Sequence, residues 1–137
     1  MSRVFFDTNL LVYSVDDRDK LRQKAARKLL TEHLGASTAV FSTQVLQEFF
    51  SVATRKLGLP VELARDAVHT YAQASVVQVT PDLILSAIDL HRLRPISFWD
   101  ALVVRAANVA NCAILLTEDL TDGEVFDGTR VQDPFAA

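Results

Sequence analysis

Short, almost continuously apolar runs alternate along this chain with segments of helical periodicity, and that alternation constrains the fold most strongly. Such runs are typical of buried strands, and helices between consecutive strands indicate a parallel sheet covered on both faces. We therefore predict an α/β fold in one domain over residues 1–137. The predicted strands are residues 4–6, 39–41, 76–79, 113–116 and 129–131.

The helical segments have recognisable beginnings and a recognisable apolar stripe. Ser42 and Thr43 are good N-cap residues for the helix that follows them, and Pro81 suits the first turn of another helix. The four-residue spacing of apolar residues at 21, 25 and 29 predicts the buried face of a helix. The predicted helices are residues 20–32, 43–56, 61–74, 81–93 and 98–111, with a helical turn at 10–13.

The composition indicates a globular protein of the cytosol. Half of the 137 residues are hydrophobic and 23% are charged. No apolar run approaches the ~20 residues of a membrane span, and the start of the chain does not resemble a signal peptide. The single cysteine, Cys112, excludes an internal disulfide and a Cys-rich metal site, and its apolar surroundings predict a core position.

The charge balance by itself does not decide whether the chain binds a polyanion. The formal net charge is −3, from 14 basic and 17 acidic residues. If four acids were metal ligands, 14 basic residues would face 13 acidic ones. Six of the basic residues fall between Arg18 and Lys28, where they either steer RNA towards a site or form a solvated helix face.

Four acidic residues follow predicted strands, at the edge of a parallel sheet where ligands bind. Asp7 comes directly after the first strand, within the apolar run VFFDTNLLVY, and Asp119 lies three residues past the end of the fourth. Glu48 lies in the helix after the second strand, and Asp100 lies in the first turn of the helix that begins at Ser97. We predict that the four carboxylates meet.

Each acid also has a purely structural alternative. Asp7 suits a helix cap, Asp100 completes a Ser-x-x-Asp capping box, Glu48 suits the edge of a buried face, and Asp119 suits a turn. A cluster of all four would repel itself and raise its own pKa values. A hard divalent cation removes that repulsion, so the joint placement predicts a Mg²⁺ or Mn²⁺ site.

The segments FFDTNLLVY, STQVLQEFF, SFWDALVVRAA and LLTEDLTDG resemble the successive acidic motifs of PIN-domain ribonucleases. The closest likeness is to the VapC-type toxins of toxin–antitoxin pairs, and it extends from Val4 to about Phe135. The resemblance implies a parallel sheet of four or five strands in the order 3-2-1-4-5, flanked by helices. It also implies that Asp7, Glu48, Asp100 and Asp119 are the catalytic acids and metal ligands.

The same resemblance implies supporting roles for neighbouring residues. Thr8, Asn9 and Thr117 match positions that brace the acids or hold water at the metal, and Asp122 is a possible auxiliary acid. Glu118 is expected to point away from the site. The ending VQDPF departs from the family pattern, in which Asn commonly precedes Pro.

The activity implied is metal-dependent hydrolysis of RNA phosphodiester bonds, leaving 5′-phosphate and 3′-hydroxyl ends. The implied substrate is tRNA, rRNA or mRNA, and the implied partners are a second copy of the chain and an antitoxin that inserts an arginine among the acids. Trp99 suits stacking on a base or a core or interface role. The residues His33, His69 and His91 are predicted to be non-catalytic.

Other functions remain open from the sequence. A housekeeping RNA-processing PIN nuclease and a PIN module that binds RNA or protein without cutting both fit these residues. A haloacid-dehalogenase-like phosphatase needs a second Asp at the position of Asn9, which counts against it. A receiver domain needs an acidic pair and a lysine that are not evident, and no glycine-rich phosphate loop supports an NTPase.

Overall fold

In the computed structural model, residues 2–136 are described, and within them six strands form one sheet. Along the sheet the strands stand in the order β3-β2-β1-β4-β6-β5. Their bounds are β1 Val4–Phe6, β2 Ala39–Ser42, β3 Ser75–Val77, β4 Ile114–Leu116, β5 Val125–Phe126 and β6 Thr129–Gln132.

Five of these strands run parallel and confirm the predicted order. Strand β1 lies between β2 and β4, with Val4 opposite both Ala39 and Ile114. Strand β3 pairs with β2, and β6, the predicted fifth strand, pairs with β4. The carboxyl ends of these strands therefore share one edge of the sheet, where the acids were expected.

Strand β5 was not predicted. It has two residues and pairs antiparallel with β6 through a hairpin whose turn residues are Asp127 and Gly128. Both turn residues have positive φ, 46° and 89°, as a type I′ turn requires. The Asp-Gly pair was a sequence signal for this hairpin, but a two-residue strand is too short to show a periodic pattern.

Six helices in the described part of the chain lie within a few residues of the predicted segments. Their bounds are α1 Thr8–Tyr13, α2 Lys20–Gly35, α3 Thr43–Arg55, α4 Val61–Ala72, α5 Pro81–Leu93 and α6 Phe98–Val109. Helix α1 begins earlier than predicted because Asp7 caps it. Ser42 and Ser97 cap α3 and α6, each with its hydroxyl oxygen accepting a backbone N–H three residues on.

The predicted buried stripe of α2 is only partly right, since Leu29 packs on the core and Ala25 is half-buried, but Leu21 is not buried. Leu21 is 85% exposed, and the buried positions of the helix are Gln23, Ala26 and Leu30. The buried face is thus offset from the four-residue spacing that predicted it. Gln23 tolerates burial because its side-chain amide donates to an Asp17 carboxylate oxygen at 2.9 Å.

One apolar core surrounds β1, β2 and β4, whose carboxyl ends lie at the edge of the sheet where the acids are found. Phe5, Phe41 and Leu115 are fully buried there, and Phe49 of α3 packs on the same core. Cys112 is buried, as predicted. Within residues 2–136, no helix combines the length and the apolar character needed to cross a bilayer.

Candidate metal centre

Asp7 joins the end of β1 to the start of α1. Its backbone N–H donates to the Leu116 carbonyl at 3.1 Å, which continues the pairing of β1 with β4. Its Oδ1 accepts the Thr8 backbone N–H at 2.7 Å and so caps α1. The cap predicted for Asp7 is therefore present, and it engages only one of the two carboxylate oxygens.

The second oxygen of Asp7 accepts a hydrogen bond from the Thr117 hydroxyl at 2.7 Å, at a site closed to solvent. Burial raises the pKa of Asp7 from 3.8 to about 7, and the hydrogen bonds from Thr117 and Thr8 offset only part of that effect. The charges of Asp119 and Asp100 raise it further. Within residues 2–136, no cationic side chain forms an ion pair with Asp7.

Asp100 enters the site from the first turn of α6. Its backbone N–H donates to the Ser97 hydroxyl oxygen at 3.0 Å, which is the capping contact that the sequence predicted. That contact uses the backbone N–H of Asp100, and one oxygen of its carboxylate lies near those of Asp7 and Asp119. Partial burial raises the pKa of the Asp100 carboxyl, and hydrogen bonding of its side chain with Ser97 opposes the rise.

Asp119 enters from the loop after β4. Its backbone N–H donates to the Thr117 hydroxyl oxygen at 3.1 Å, so one threonine links Asp119 to Asp7. The side-chain amide of Asn9 donates to Asp119 Oδ2 at 3.3 Å. Burial raises the pKa of Asp119, and the charges of Asp100 and Glu118 add to the rise.

Three of the four predicted acids meet in space. One carboxylate oxygen from each of Asp7, Asp100 and Asp119 lies within 4.8 Å of the others, and we call these residues the acid triad. Opposite oxygens around one Mg²⁺ ion are about 4 Å apart. These separations are close to those of oxygens that share one ion, so the triad could hold a divalent cation after small side-chain rotations.

Glu48 lies outside the triad. It is exposed on α3, and its Oε1 accepts a hydrogen bond from the Thr8 hydroxyl at 3.2 Å. Glu48 thus reaches the residue beside Asp7 and not the group of three oxygens. Its role as a metal ligand stays a prediction.

The supporting residues divide into two groups. Thr8, Asn9 and Thr117 each contact an acid of the site, and the buried Oδ1 atom of Asn9 has no hydrogen-bond partner among the described residues. Asp122 instead accepts a hydrogen bond from the Asp133 backbone N–H at 2.9 Å, so its carboxylate contacts the segment after β6 and not the acids.

Glu118 points away from the triad, as expected from the resemblance, and contacts Tyr13 and Arg22. Its carboxylate accepts a hydrogen bond from the Tyr13 hydroxyl, and its Oε2 lies 3.8 Å from Arg22. It influences the site through its charge, which contributes to the raised pKa of Asp119.

Two features beside the triad were not predicted. Gln44 of α3 is buried, and its amide lies 3.4 Å from the Trp99 carbonyl oxygen at the start of α6. A cavity of about 360 Å³ opens next to Asp100 and Asp119, and its wall also includes Ile96, Leu120, Pro95, Ser97, Thr121 and Glu124. Gln44 follows a strand by two residues, and that position was the sequence signal available for it.

Comparisons with known proteins identify the family of the chain and structures that share its fold. The PIN domain family model matches residues 4–121. The crystal structure of Mycobacterium tuberculosis VapC20, a Sarcin-Ricin loop cleaving toxin, matches with a TM-score of 0.63 and 24% identity, over 82% of this chain and 86% of that chain. A toxin–antitoxin complex from Klebsiella pneumoniae matches with a TM-score of 0.70 and 20% identity, over 98% and 99% of the two chains.

Comparison with curated protein sequences finds no match. At 24% and 20% identity, the two structural likenesses concern the fold alone. The family match covers most of the chain, and its range includes all three residues of the acid triad. The chain therefore belongs to the PIN-domain family.

Proposed function

We propose that this chain is a metal-dependent endoribonuclease and the toxin of a type II toxin–antitoxin pair. The observation that carries the proposal is the acid triad, in which one oxygen of each carboxylate lies within 4.8 Å of the others and, in residues 2–136, no cationic side chain forms an ion pair with them. The PIN-domain match and the fold shared with VapC20 and the toxin–antitoxin complex support the same assignment.

The chain's own residues prepare the site for a hard cation. Thr8 and Thr117 hold both oxygens of Asp7 at 2.7 Å, which orients a carboxylate that is otherwise costly to bury in ionised form. Asn9 holds Asp119, and Asp100 projects from the start of a rigid helix. Asp7, Asp100 and Asp119 would hold Mg²⁺ or Mn²⁺, with Glu48 as a fourth acid beside them.

When bound, such a cation polarises a phosphodiester and lowers the pKa of water, the chemistry that hydrolysis of RNA to 5′-phosphate and 3′-hydroxyl ends requires. Oxygen ligands alone suit Mg²⁺ and Mn²⁺ better than softer metals. We propose tRNA, rRNA or mRNA as the substrate class and the cytoplasm as the location. An antitoxin is the proposed protein partner.

We also propose a homodimer. Helix α5 presents three large apolar side chains to solvent, with Ile84, Leu85 and Ile88 exposed by 36%, 60% and 39%. Such a face on one helix suits burial against a second copy of the chain. Sedimentation of Leu85→Glu against the parent tests this, with a shift of the variant towards monomer expected and identical behaviour contradicting the proposed interface.

The activity is tested by removing single charges from the triad. Asp7→Asn and Asp100→Asn should each lower Mg²⁺- or Mn²⁺-dependent RNA cleavage by about 100-fold or more while keeping the circular dichroism of the parent. The matched control is Asp17→Asn, an exposed acid beside α2 whose loss should leave cleavage unchanged. Parent-like cleavage by both triad variants would refute the site.

The toxin role needs a separate experiment in cells. Pulsed expression of the parent, followed by sequencing of new RNA ends, should show cleavage at few sites and arrested growth, and Asp7→Asn should show neither. A neighbouring small reading frame that encodes a DNA-binding protein should relieve the arrest when it is co-expressed. Cleavage in vitro without arrest would instead favour a housekeeping nuclease.

A further inference from the structure

Trp99 is a large aromatic side chain left exposed beside the acid triad. It lies in the first turn of α6, directly before Asp100, and 62% of it is exposed. This exposure excludes the core role that the sequence left open. It leaves a flat apolar surface at the carboxyl edge of the sheet that nothing in residues 2–136 covers.

The position of Trp99 is well supported by its neighbours. Its ring packs edge-on against the half-buried Phe98, with centroids 5.1 Å apart and planes at 71°. The buried Gln44 amide lies 3.4 Å from its carbonyl oxygen. A side chain braced in this way loses little conformational freedom when a ligand packs on it.

The surroundings of the triad favour a base, and not a phosphate, as the group that Trp99 contacts. The cavity next to Asp100 and Asp119 has no lysine or arginine among the residues that line it, and the Glu124 carboxylate in its wall is paired with Arg94. Phosphate groups therefore find little attraction there beyond a bound cation. Stacking of a base on an aromatic ring supplies affinity that needs no positive charge.

We infer that the Trp99 indole stacks on a base of single-stranded RNA next to the phosphodiester held at the triad, and so positions the strand for cleavage. This inference rests on the proposed ribonuclease function. Trp99 and Asp100 have Cα atoms about 3.8 Å apart. A strand whose phosphate lies at the triad would therefore pass close to the part of α6 from which the exposed indole projects.

The chain has one tryptophan and two tyrosines, so fluorescence excited at the red edge, where only tryptophan absorbs, reports on Trp99 alone. In the Asp7→Asn protein, which should leave RNA uncut, a short single-stranded RNA of mixed sequence should quench that emission. An abasic ribose-phosphate chain of the same length and charge should bind more weakly and quench little. Binding is followed independently by the anisotropy of a label at the far end of each oligonucleotide.

Kinetics separate stacking from a structural role. Trp99→Ala should raise KM for a single-stranded RNA substrate about fivefold to a hundredfold with a much smaller change in kcat. Trp99→Phe keeps an aromatic face and should lose less. Val109→Ala is the matched control, since Val109 has a similar exposure of 65% and lies at the other end of α6, about 14 Å along the helix from Asp100.

The outcomes that overturn the inference differ from those that overturn the ribonuclease. Equal KM for Trp99→Ala and the parent, or equal quenching by the two oligonucleotides when both bind, refutes stacking and leaves the nuclease intact. A change of oligomeric state in Trp99→Ala, seen by light scattering, makes the indole an interface residue and also refutes stacking. If the parent neither binds nor cuts RNA, both proposals fall.

Discussion

Two acidic regions of this molecule behave in opposite ways. In the acid triad, burial raises the pKa of every carboxyl, and repulsion by neighbouring acids adds to the rise for Asp7 and Asp119. Around the start of α2, the paired acids, Asp16, Asp17 and Asp19, all have lowered pKa values. The two regions differ in whether the chain itself supplies partners for the charges.

The paired acids find their partners within a few residues of chain. The hydrogen bonds from Arg18 lower the pKa of Asp16, those from Gln23 and Lys20 lower that of Asp17, and those from the Arg22 backbone and side chain lower that of Asp19. Arg18 contacts both carboxylate oxygens of Asp16, at 2.9 and 3.1 Å. These acids need nothing from outside the chain.

Within residues 2–136, the triad has hydrogen-bond donors but no ion pair with a cationic side chain. Thr8, Thr117 and Asn9 orient the carboxylates without neutralising them. On the proposed function, an added divalent cation would neutralise the triad, whereas the paired acids already have partners within the chain. Acidic content alone does not distinguish the two regions, but the partners of each carboxylate do.

The largest expected effect concerns the stability of the metal-free protein. Asp7 has a pKa of about 7 in the folded chain against 3.8 ordinarily, so the stability that this group contributes is complete below about pH 4 and is lost as the pH rises to about 7. This displacement of the Asp7 pKa corresponds to a loss of as much as about 4 kcal/mol in the free energy of unfolding. Asp7→Asn should therefore gain stability over the parent between pH 4 and pH 8.

Urea denaturation in EDTA across that range measures the difference. Asp17→Asn is the control, because Asp17 has a lowered pKa and its removal should not reproduce the gain at pH 8. Parallel pH profiles for the parent and Asp7→Asn would mean that the Asp7 carboxylate is not strained by burial, and the contrast between the two regions would fail.

The next effect is stabilisation by an added cation. Mn²⁺ at 100 times its dissociation constant should raise the free energy of unfolding of the parent by about 2.7 kcal/mol. Asp119→Asn should lose most of that gain, because one carboxylate of the triad is removed. Asp17→Asn should keep the gain, and equal losses in both variants would show that Mn²⁺ responds to general acidity and not to the triad.

A variant of Glu48 tests whether this fourth acid binds the cation or only supports the triad. Because its carboxylate accepts from the Thr8 hydroxyl and lies outside the group of three, Glu48→Gln should lower kcat/KM for RNA about 10-fold to 100-fold. That loss should be smaller than the loss in Asp100→Asn, measured with the same substrate and metal. Equal losses would indicate that Glu48 binds the cation directly in the working site.

These residues also show how far the sequence could predict the site. Asp7 and Asp119 follow strands whose apolar character is evident from the sequence, and a parallel sheet brings strand ends together, so their meeting was predictable. The Ser97 cap likewise follows from a local pattern. The position of Glu48 was not predictable, since it depends on the rotamer of a long side chain on a helix surface.

The errors have a similar physical origin. The buried face of α2 depends on which side of the helix meets the sheet. The four-residue spacing of apolar residues does not specify that contact, and Leu21, which the spacing assigned to the buried face, is exposed. Strand β5 exists because β6 offers it a partner, and two residues have no pattern of their own. Local chemistry was predictable from the sequence, and tertiary contacts decided the rest.

The smallest expected effect lies among the paired acids and has the opposite sign to that of Asp7. Because Arg18 lowers the pKa of Asp16, the pair stabilises the fold above pH 3.8 and loses that contribution as the pH falls towards the lower pKa of the folded state. Asp16→Asn should therefore lower Tm slightly at pH 7, where Asp7→Asn raises it in EDTA, and its deficit should shrink in acid. The Arg18 side chain is 74% exposed, so added salt should also reduce the deficit. If calorimetry shows that the deficit in Tm at pH 7 persists unchanged in acid and in high salt, Asp16 acts through packing and not through its charge. The two acidic regions would then no longer differ in whether the chain supplies partners for their charges.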